Sequence, residues 1–348
     1  MTVDPITIST TVVSTVGRVS LYGDIAIVGT GAGGTKSDNE IQVCNNIVEV
    51  ETYFGEDTNI ATAAQQIFNQ GVREISCIRA AGTSDTQLKA ALDVIAADED
   101  IAFVVLANVI CTASGQCAQH NSVIDKADDN NWVHLVGFSG TVVATLQTLG
   151  GYIKETVNSP LVVAQSDDDI AAALTGAFAA KKPWDKMMWL EAEGVDVPCH
   201  FGKTDVTTFE TGSVPMNVMI EKLSKDVVSD GLTNQTTPAA SGGTYNYIDI
   251  TRTRYWLESL IEEKLENLMM ESQIPYTNVG IAMVEAKIRE ACQEVVDDGG
   301  ITEFSIDMPT CDEIDAADRA IRYLQNIIVN VQLTGHIQTI SLELKITI

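Results

Sequence analysis

Basic residues are scarce in this chain. Twenty-one lysines and arginines face 48 aspartates and glutamates, which leaves a formal net charge of −27 over 348 residues. Such a surface repels phosphate backbones, so nucleic acid is excluded as an expected partner. It also keeps a protein soluble at high concentration or in high salt, and a salty host would suit it. No run of eighteen apolar residues occurs, so no helix is expected to enter a membrane. The opening "MTVDPITIST" has neither the basic start nor the apolar run of a secretory signal.

The residues of catalysis are equally sparse. The histidines are four, His120, His134, His200 and His336, each in a different segment, and no H-E-x-x-H, G-x-S-x-G or G-K-[ST] pattern appears. His134 sits in the apolar stretch "NWVHLVGF" and is expected to be a satisfied core residue. Seven cysteines (Cys44, Cys77, Cys111, Cys117, Cys199, Cys292 and Cys311) form no C-x-x-C pair, which argues against a disulfide framework and for a reducing place of assembly. In "CTASGQC" (111–117) the two thiols could bridge or hold a metal, but small buried residues are the plainer reading. The acid run "DDD" at 167–169 precedes an alanine-rich segment, where capping is favoured over a divalent ion. No cofactor, metal or enzymatic role is expected.

What is present is a core: 45% of the residues are hydrophobic, enough for two or three packed units. Residues 24–28 read as a short buried strand. "NIATAAQQIFNQG" places Ala63, Ile67 and Phe68 at helical spacing before a Gly71 cap. "REISCIRAA" reads as a strand, and "TSDTQLKAALDVIAADED" as a helix with Leu88, Leu92 and Ile95 on one face. "IAFVVLANVI" is the continuous apolar run of a strand buried on both faces. "NWVHLVGFSG" and "SPLVVAQS" continue as strands, the second followed by a helix, "DDDIAAALTGAFAA". Strand alternating with helix predicts α/β layering. Residues 191–244 read as loop-rich.

The stretch "DIAIVGTGAGG" (24–34) raises a specific alternative. Gly29, Gly31 and Gly34 match G-x-G-x-x-G, and Glu49 and Glu51 lie about where a ribose-binding acid would stand. A dinucleotide site needs a helix directly after the glycines. "TKSDNEIQVCNNIVEV" lacks that periodicity, so the loop is read as a mobile turn that should tolerate Gly31→Ala and Gly34→Ala.

Two long helices follow residue 250. Trp256, Leu257, Leu260, Ile261, Leu265, Leu268 and Met269 form one apolar stripe, and Val284, Ile288, Ala291 and Val295 another, stopped by Gly299 and Gly300. "TCDEIDAADRAIRYL" (310–324) reads as a shorter helix with an acidic first turn. Strict alternation marks two final strands, one with Ile327, Val329, Val331 and Leu333 on one face, the other with Ile340, Leu342, Leu344, Ile346 and Ile348. The last strand is expected to find an edge to join.

Four stretches carry a family resemblance: "GDIAIVGTGAGG" with "NEIQVCNNIVEVETYFG"; "IATAAQQIFNQGVREISCIRAA"; "YNYIDITRTRYWLESLIEEKLENLMMES" with "IREACQEVVDDGGI"; and "FSIDMPTCDEIDAADRAIRYLQNIIVNVQLTGHIQTISLELKITI". In their order the chain resembles contractile tail sheath proteins of phages, archaeal viruses and contractile injection systems. The third stretch is similar to the family's paired helices after a short strand, here carrying Arg252 and Arg254. The resemblance implies a compact mixed α/β sheath fold. Its discontinuous core would span 23–105 and 245–338, with a variable middle domain at 106–244 and strand arms at 1–22 and 339–348. The arms, with Ile6, Ile8, Thr10, Val12, Ile340, Leu342, Leu344, Ile346 and Ile348, would join sheets in neighbouring subunits. Asp312, Asp315, Asp318, Arg319 and Arg322 would form a helix facing a tail tube. Implied partners are copies of the chain in hexameric rings, the tail tube, and baseplate and terminator proteins. The place would be a virion tail or an injection particle assembled in the host cytoplasm. A non-contractile filament subunit and an NAD-binding α/β enzyme are the alternatives.

Overall fold

A computed structural model describes residues 24–31, 33–97, 101–166, 168–235 and 247–335. Both expected arms, 1–22 and 339–348, and every residue named in them lie outside the described residues. The chain divides into two compact units, Met1–Glu266 and Asn267–Ile348.

In the first unit, β1 (Asp24–Gly29) lies between β3 (Ile75–Arg79) and β4 (Ile101–Leu106), parallel to both, and β2 (Ile41–Cys44) closes the edge antiparallel to β3. A second sheet runs β5 (Val136–Ser139), β6 (Leu161–Ala164), β7 (Asn217–Lys222), β8 (Lys225–Val228), its first three strands parallel and its last antiparallel. Val133, just ahead of β5, pairs in parallel with Phe103 of β4. Packing therefore does not break at residue 105.

Successive β1 residues serve opposite faces, as strands buried on both sides require. Ile25 and Ile27 pack with α1 (Ile47–Phe54), α2 (Asn59–Asn69) and α6 (Ile170–Ala179). Ala26 and Val28 pack with α3 (Asp85–Ile95) and α4 (Ser114–Asn130). On the second sheet α4 is joined by α5 (Val143–Gly150) and α7 (Lys203–Thr211). All ten residues of α6 are buried, and its alanines let it approach α2 closely. A Cβ on Gly176 would lie 3.1 Å from the Ile67 backbone.

The predicted helices at 59–71 and 84–95 and the strands around 75, 101, 136 and 161 are all present. Four regions differ. The segment after the glycines holds an eight-residue helix, α1, capped by Asn46, whose side chain accepts from the Glu49 amide. Three helical elements go unpredicted in the middle: α4 hides its face behind Cys117 and His120 beside Val123, Ile124 and Ala127; α5 has eight residues; α7 buries only Phe209. The loop-rich reading of 191–244 also misses the β7–β8 hairpin, whose turn residues Leu223 and Ser224 take left-handed conformations without Gly or Asn to signal them.

Arg252 and Arg254 stand inside a helix, α8 (Ile248–Glu271), not on a strand before it. Trp256, Leu257, Leu260, Ile261 and Leu268 are buried as predicted, while Met269 is exposed. In the second unit, α9 (Asn278–Asp297) is capped by Thr277 and buries Val284, Ile288, Ala291 and Val295. Strands β9 (Ile301–Asp307) and β10 (Ile328–Leu333) form an antiparallel ribbon, with Val329 opposite Ile306 and Val331 opposite Phe304.

Candidate assembly surface

The glycine loop lies at the carboxyl ends of β1 and β3, where an open cleft of about 440 Å³ is lined by Thr30, Gly31, Gly34, Asp38, Arg79 and Gly82. This is the crevice in which α/β sheets bind ligands. Here it is filled from within. The Arg79 guanidinium donates from Nε to Asp38 Oδ1 at 2.7 Å, from Nη1 to the Gly33 carbonyl at 2.5 Å and from Nη2 to the Lys36 carbonyl. The cation that would meet a pyrophosphate is thus committed to the loop itself. Glu49 accepts from the Asn45 amide at 2.8 Å in the first turn of α1, a bond that lowers its carboxyl, so it serves the helix terminus.

Nor does the loop tolerate alanine as the sequence suggests. Gly34 has φ of +68°, and a Cβ there would sit 2.1 Å from the Tyr53 carbonyl oxygen. Gly34→Ala is expected to cost about 2 kcal/mol or more from backbone strain and displacement of α1. Chemical denaturation of the variant checks this; an unchanged midpoint would show that the loop yields.

The acid run caps, as expected. Asp169 accepts from the Ala172 amide at 3.0 Å and the Asn108 amide at 2.6 Å, and burial raises its carboxyl. Asp168 accepts from the Asp196 amide. Cys111 and Cys117 are free and buried; Cys111 is pushed up by its hydrogen bond with Cys117 and by burial. Among the described residues no group of His, Cys, Asp and Glu could hold a metal ion.

His134 is a core residue, as predicted, but with a partner the sequence did not show. Its Nδ1 lies 2.8 Å from the Val104 carbonyl, His120 Nε2 lies 2.7 Å from the Val109 carbonyl, and the inner nitrogens meet at 2.8 Å. Carbonyls only accept, so the outer nitrogens carry the two protons of a neutral pair. The inner contact gains a proton only if the pair is charged, and burial opposes that. It lowers His120 to about 3, helped by its neighbour, and His134 to about 4.

The sign of the linkage follows. Above pH 6.5 both folded and unfolded histidines are neutral; below it the unfolded chain takes protons that the fold refuses, so stability falls as pH falls toward 4. Each histidine removes about 2 kcal/mol by pH 5. His134→Gln should flatten this loss by about half in urea titrations at pH 7 and pH 5. Raised carboxyls such as Asp169 act in the opposite sense but cancel in the comparison. Equal slopes would contradict the account.

The acidic segment at 310–324 is only partly helical. A turn held by Glu313, which accepts from the Thr310 amide at 2.7 Å, precedes the six-residue α10 (Ala316–Ile321). Asp312 therefore lies outside the helix, Asp315 caps it, and Arg322 ends it in a left-handed conformation. Arg319 donates to the Cys311 carbonyl at 3.2 Å and Asp318 accepts from Gln325. The five residues do not share one helical face, although all but the half-buried Asp318 are exposed.

The ribbon beside them is the most open structure described. Among the described residues β9 and β10 pair only with each other, so each keeps a free edge, and Ile328 is 52% exposed. Unpaired edges of this kind are templates for another strand.

Comparison with known proteins gives these surfaces a context. No curated protein matches the chain in sequence. Residues 248–305 match the family described as E217 tail sheath protein gp31-like, C-terminal domain. Among solved structures, a chain of the anti-feeding prophage baseplate is 13% identical with a TM-score of 0.74, and the match covers 100% of each chain. A chain of the anti-feeding prophage helical sheath in its contracted state is 12% identical with a TM-score of 0.71, over 99% of both. The sheath tail protein Lin1278 from Listeria innocua is 10% identical with a TM-score of 0.61, over 92% of this chain and 97% of that one. The mixed α/β fold is that of contractile sheath proteins.

Proposed function

We propose that this chain, which has the fold of contractile sheath proteins, is the structural subunit of a contractile tail sheath. Rings of subunits, six to a ring, stack around a tail tube on a baseplate and contract to drive the tube through a cell envelope. The observation that carries this reading is the end-to-end match to a contracted-state sheath chain, 99% of each. A match over both units leaves no extra domain to supply another activity.

The open β9–β10 ribbon fits the assembly. Residues 1–22 and 339–348 act as arms that add strands to ribbons of neighbouring copies, so subunits stay linked as they rotate. Residues 23–105 and 245–338 are the conserved sheath core, and 106–244 its variable part. The exposed segment with Asp312, Asp315, Asp318, Arg319 and Arg322 faces the tube. Contacts of this head-to-tail kind do not close, so the product is a filament. The work of contraction comes from conformational free energy stored during assembly, and no nucleotide is needed in the sheath. The particle is a virion tail or an extracellular injection device, assembled in the host cytoplasm.

Negative-stain microscopy of purified protein tests the reading. Tubes of uniform diameter with helical striations are expected. Discrete oligomers with affinity for NAD would favour the enzyme alternative, which the Arg79-filled cleft already disfavours.

A further inference from the structure

Two large apolar side chains of the first unit sit where neither sterics nor burial would put them. Trp189 has φ of +66° and Leu223 has φ of +54°, a region that bulky residues avoid and that costs about 1–2 kcal/mol. Burial does not recover that cost: Trp189 is 45% exposed and Leu223 is 95% exposed. Gly or Asn would suit either position better on conformational grounds.

The two are joined by one lysine. Lys222, next to Leu223 at the hairpin tip, holds its Nζ 4.2 Å from the Trp189 ring centre, and Lys186 holds its own at 4.3 Å. The frame is rigid. The Trp189 amide donates to the Val228 carbonyl at 2.8 Å, and Lys225 is ion-paired with Glu191 beside it. The other tryptophans, Trp132, Trp184 and Trp256, are buried.

We infer that Trp189, Leu223, Lys186 and Lys222 form a contact by which one subunit grips an acidic, partly apolar segment of a second copy of this chain. Charge complementarity selects that occupant. The chain has 48 carboxylate residues and 21 cationic ones, so almost any face a second copy presents is acidic, and two ammonium groups fixed on an exposed indole are its complement. Aromatic anchors rimmed by charge are the usual centres of protein interfaces, and strained residues persist where they serve binding. The inference rests on the sheath reading above.

Iodide quenching of tryptophan fluorescence, on dispersed subunits and on assembled tubes, tests it. Dispersed subunits should show a quenchable component that Trp189→Phe lacks, and its quenching constant should fall at least fivefold in tubes. Leu223→Asn, which suits a left-handed site, should leave the melting temperature of dispersed subunits unchanged or higher. It should nevertheless raise the subunit concentration needed for tube formation at least tenfold, as should Lys222→Glu. Tubes in which Trp189 stays as quenchable as in dispersed subunits would overturn the contact and leave the sheath reading standing, whether the patch then serves another protein or nothing. Unaltered assembly of Leu223→Asn and Lys222→Glu would do the same. Failure of the wild-type chain to form tubes under any condition would remove both.

Discussion

Removal of residues 340–348 leaves subunits that fold but do not form long tubes. The physical basis is strand pairing. The deleted stretch alternates Ile340, Leu342, Leu344, Ile346 and Ile348 with polar residues, the pattern of a strand with one face to bury. The second unit offers a matching ribbon whose two strands, among the described residues, pair only with each other. Each added strand of nine residues supplies several backbone hydrogen bonds of about 1 kcal/mol each together with its buried apolar face. Losing one such link per subunit removes more free energy than a typical single interface residue supplies. Sedimentation of the truncated chain should show dispersed or short species, with a circular dichroism melt close to that of the full chain. Normal tubes from the truncated chain would show that these residues do not carry the mesh.

Phe178→Ala should lower subunit stability by about 4 kcal/mol, the largest single-residue effect expected. Phe178 is completely buried on α6, meets Phe103 of β4 edge-on at 6.2 Å, and carries the Arg252 guanidinium 4.1 Å from its ring centre. Truncation to alanine leaves a cavity and costs about 3–5 kcal/mol in comparable cores. It also removes the ring that supports a buried cation, whose guanidinium burial lowers to about 9. Arg252 then keeps only its bonds to the carbonyls of Lys181 and Lys182, at 3.0 and 3.4 Å. Phe178→Leu should lose clearly less, because most of the volume remains. Urea denaturation of the two variants checks the order. Equal small losses would mean that α6 does not anchor α8 through this contact.

Arg252 illustrates which parts of the molecule could be read from the sequence. Its place in the family pattern was legible, but the strand assigned to it was wrong. Thr251, Arg252 and Thr253 carry the β-branching and polarity of a strand, yet α8 starts at Ile248 and buries all three. The cation is hidden by two phenylalanines distant in sequence, a tertiary effect that local propensity cannot register. The strands of the parallel sheets were legible because burial on both faces writes continuous apolar runs such as Ile101–Leu106. Helix α4 was not, because its inward face is built from Cys117, His120, Val123, Ile124 and Ala127, residues that score as weakly apolar or polar.

The candidate surfaces divide in the same way. The glycine loop was correctly set apart from a dinucleotide site by the missing helix after Gly34. Its rigidity was missed because the Arg79 bonds and the Tyr53 carbonyl come from segments that only the fold brings near. The acidic segment at 312–322 read as one helix because Asp, Ala and Arg all favour it. The Glu313 turn and the left-handed Arg322 interrupt it at either end. The Trp189 patch had no signature at all, since its meaning lies in backbone angles and in Lys222 arriving from another hairpin.

The central claim is that this polypeptide functions only as part of a woven cylinder of its own copies. Cryo-electron microscopy of tubes formed by the purified full chain tests it most directly. The account predicts stacked rings in which β9 and β10 of one subunit are extended into a larger sheet by terminal strands of its neighbours. Subunits whose ends fold back onto their own β9–β10 ribbon, with no strand passing between copies, would contradict it.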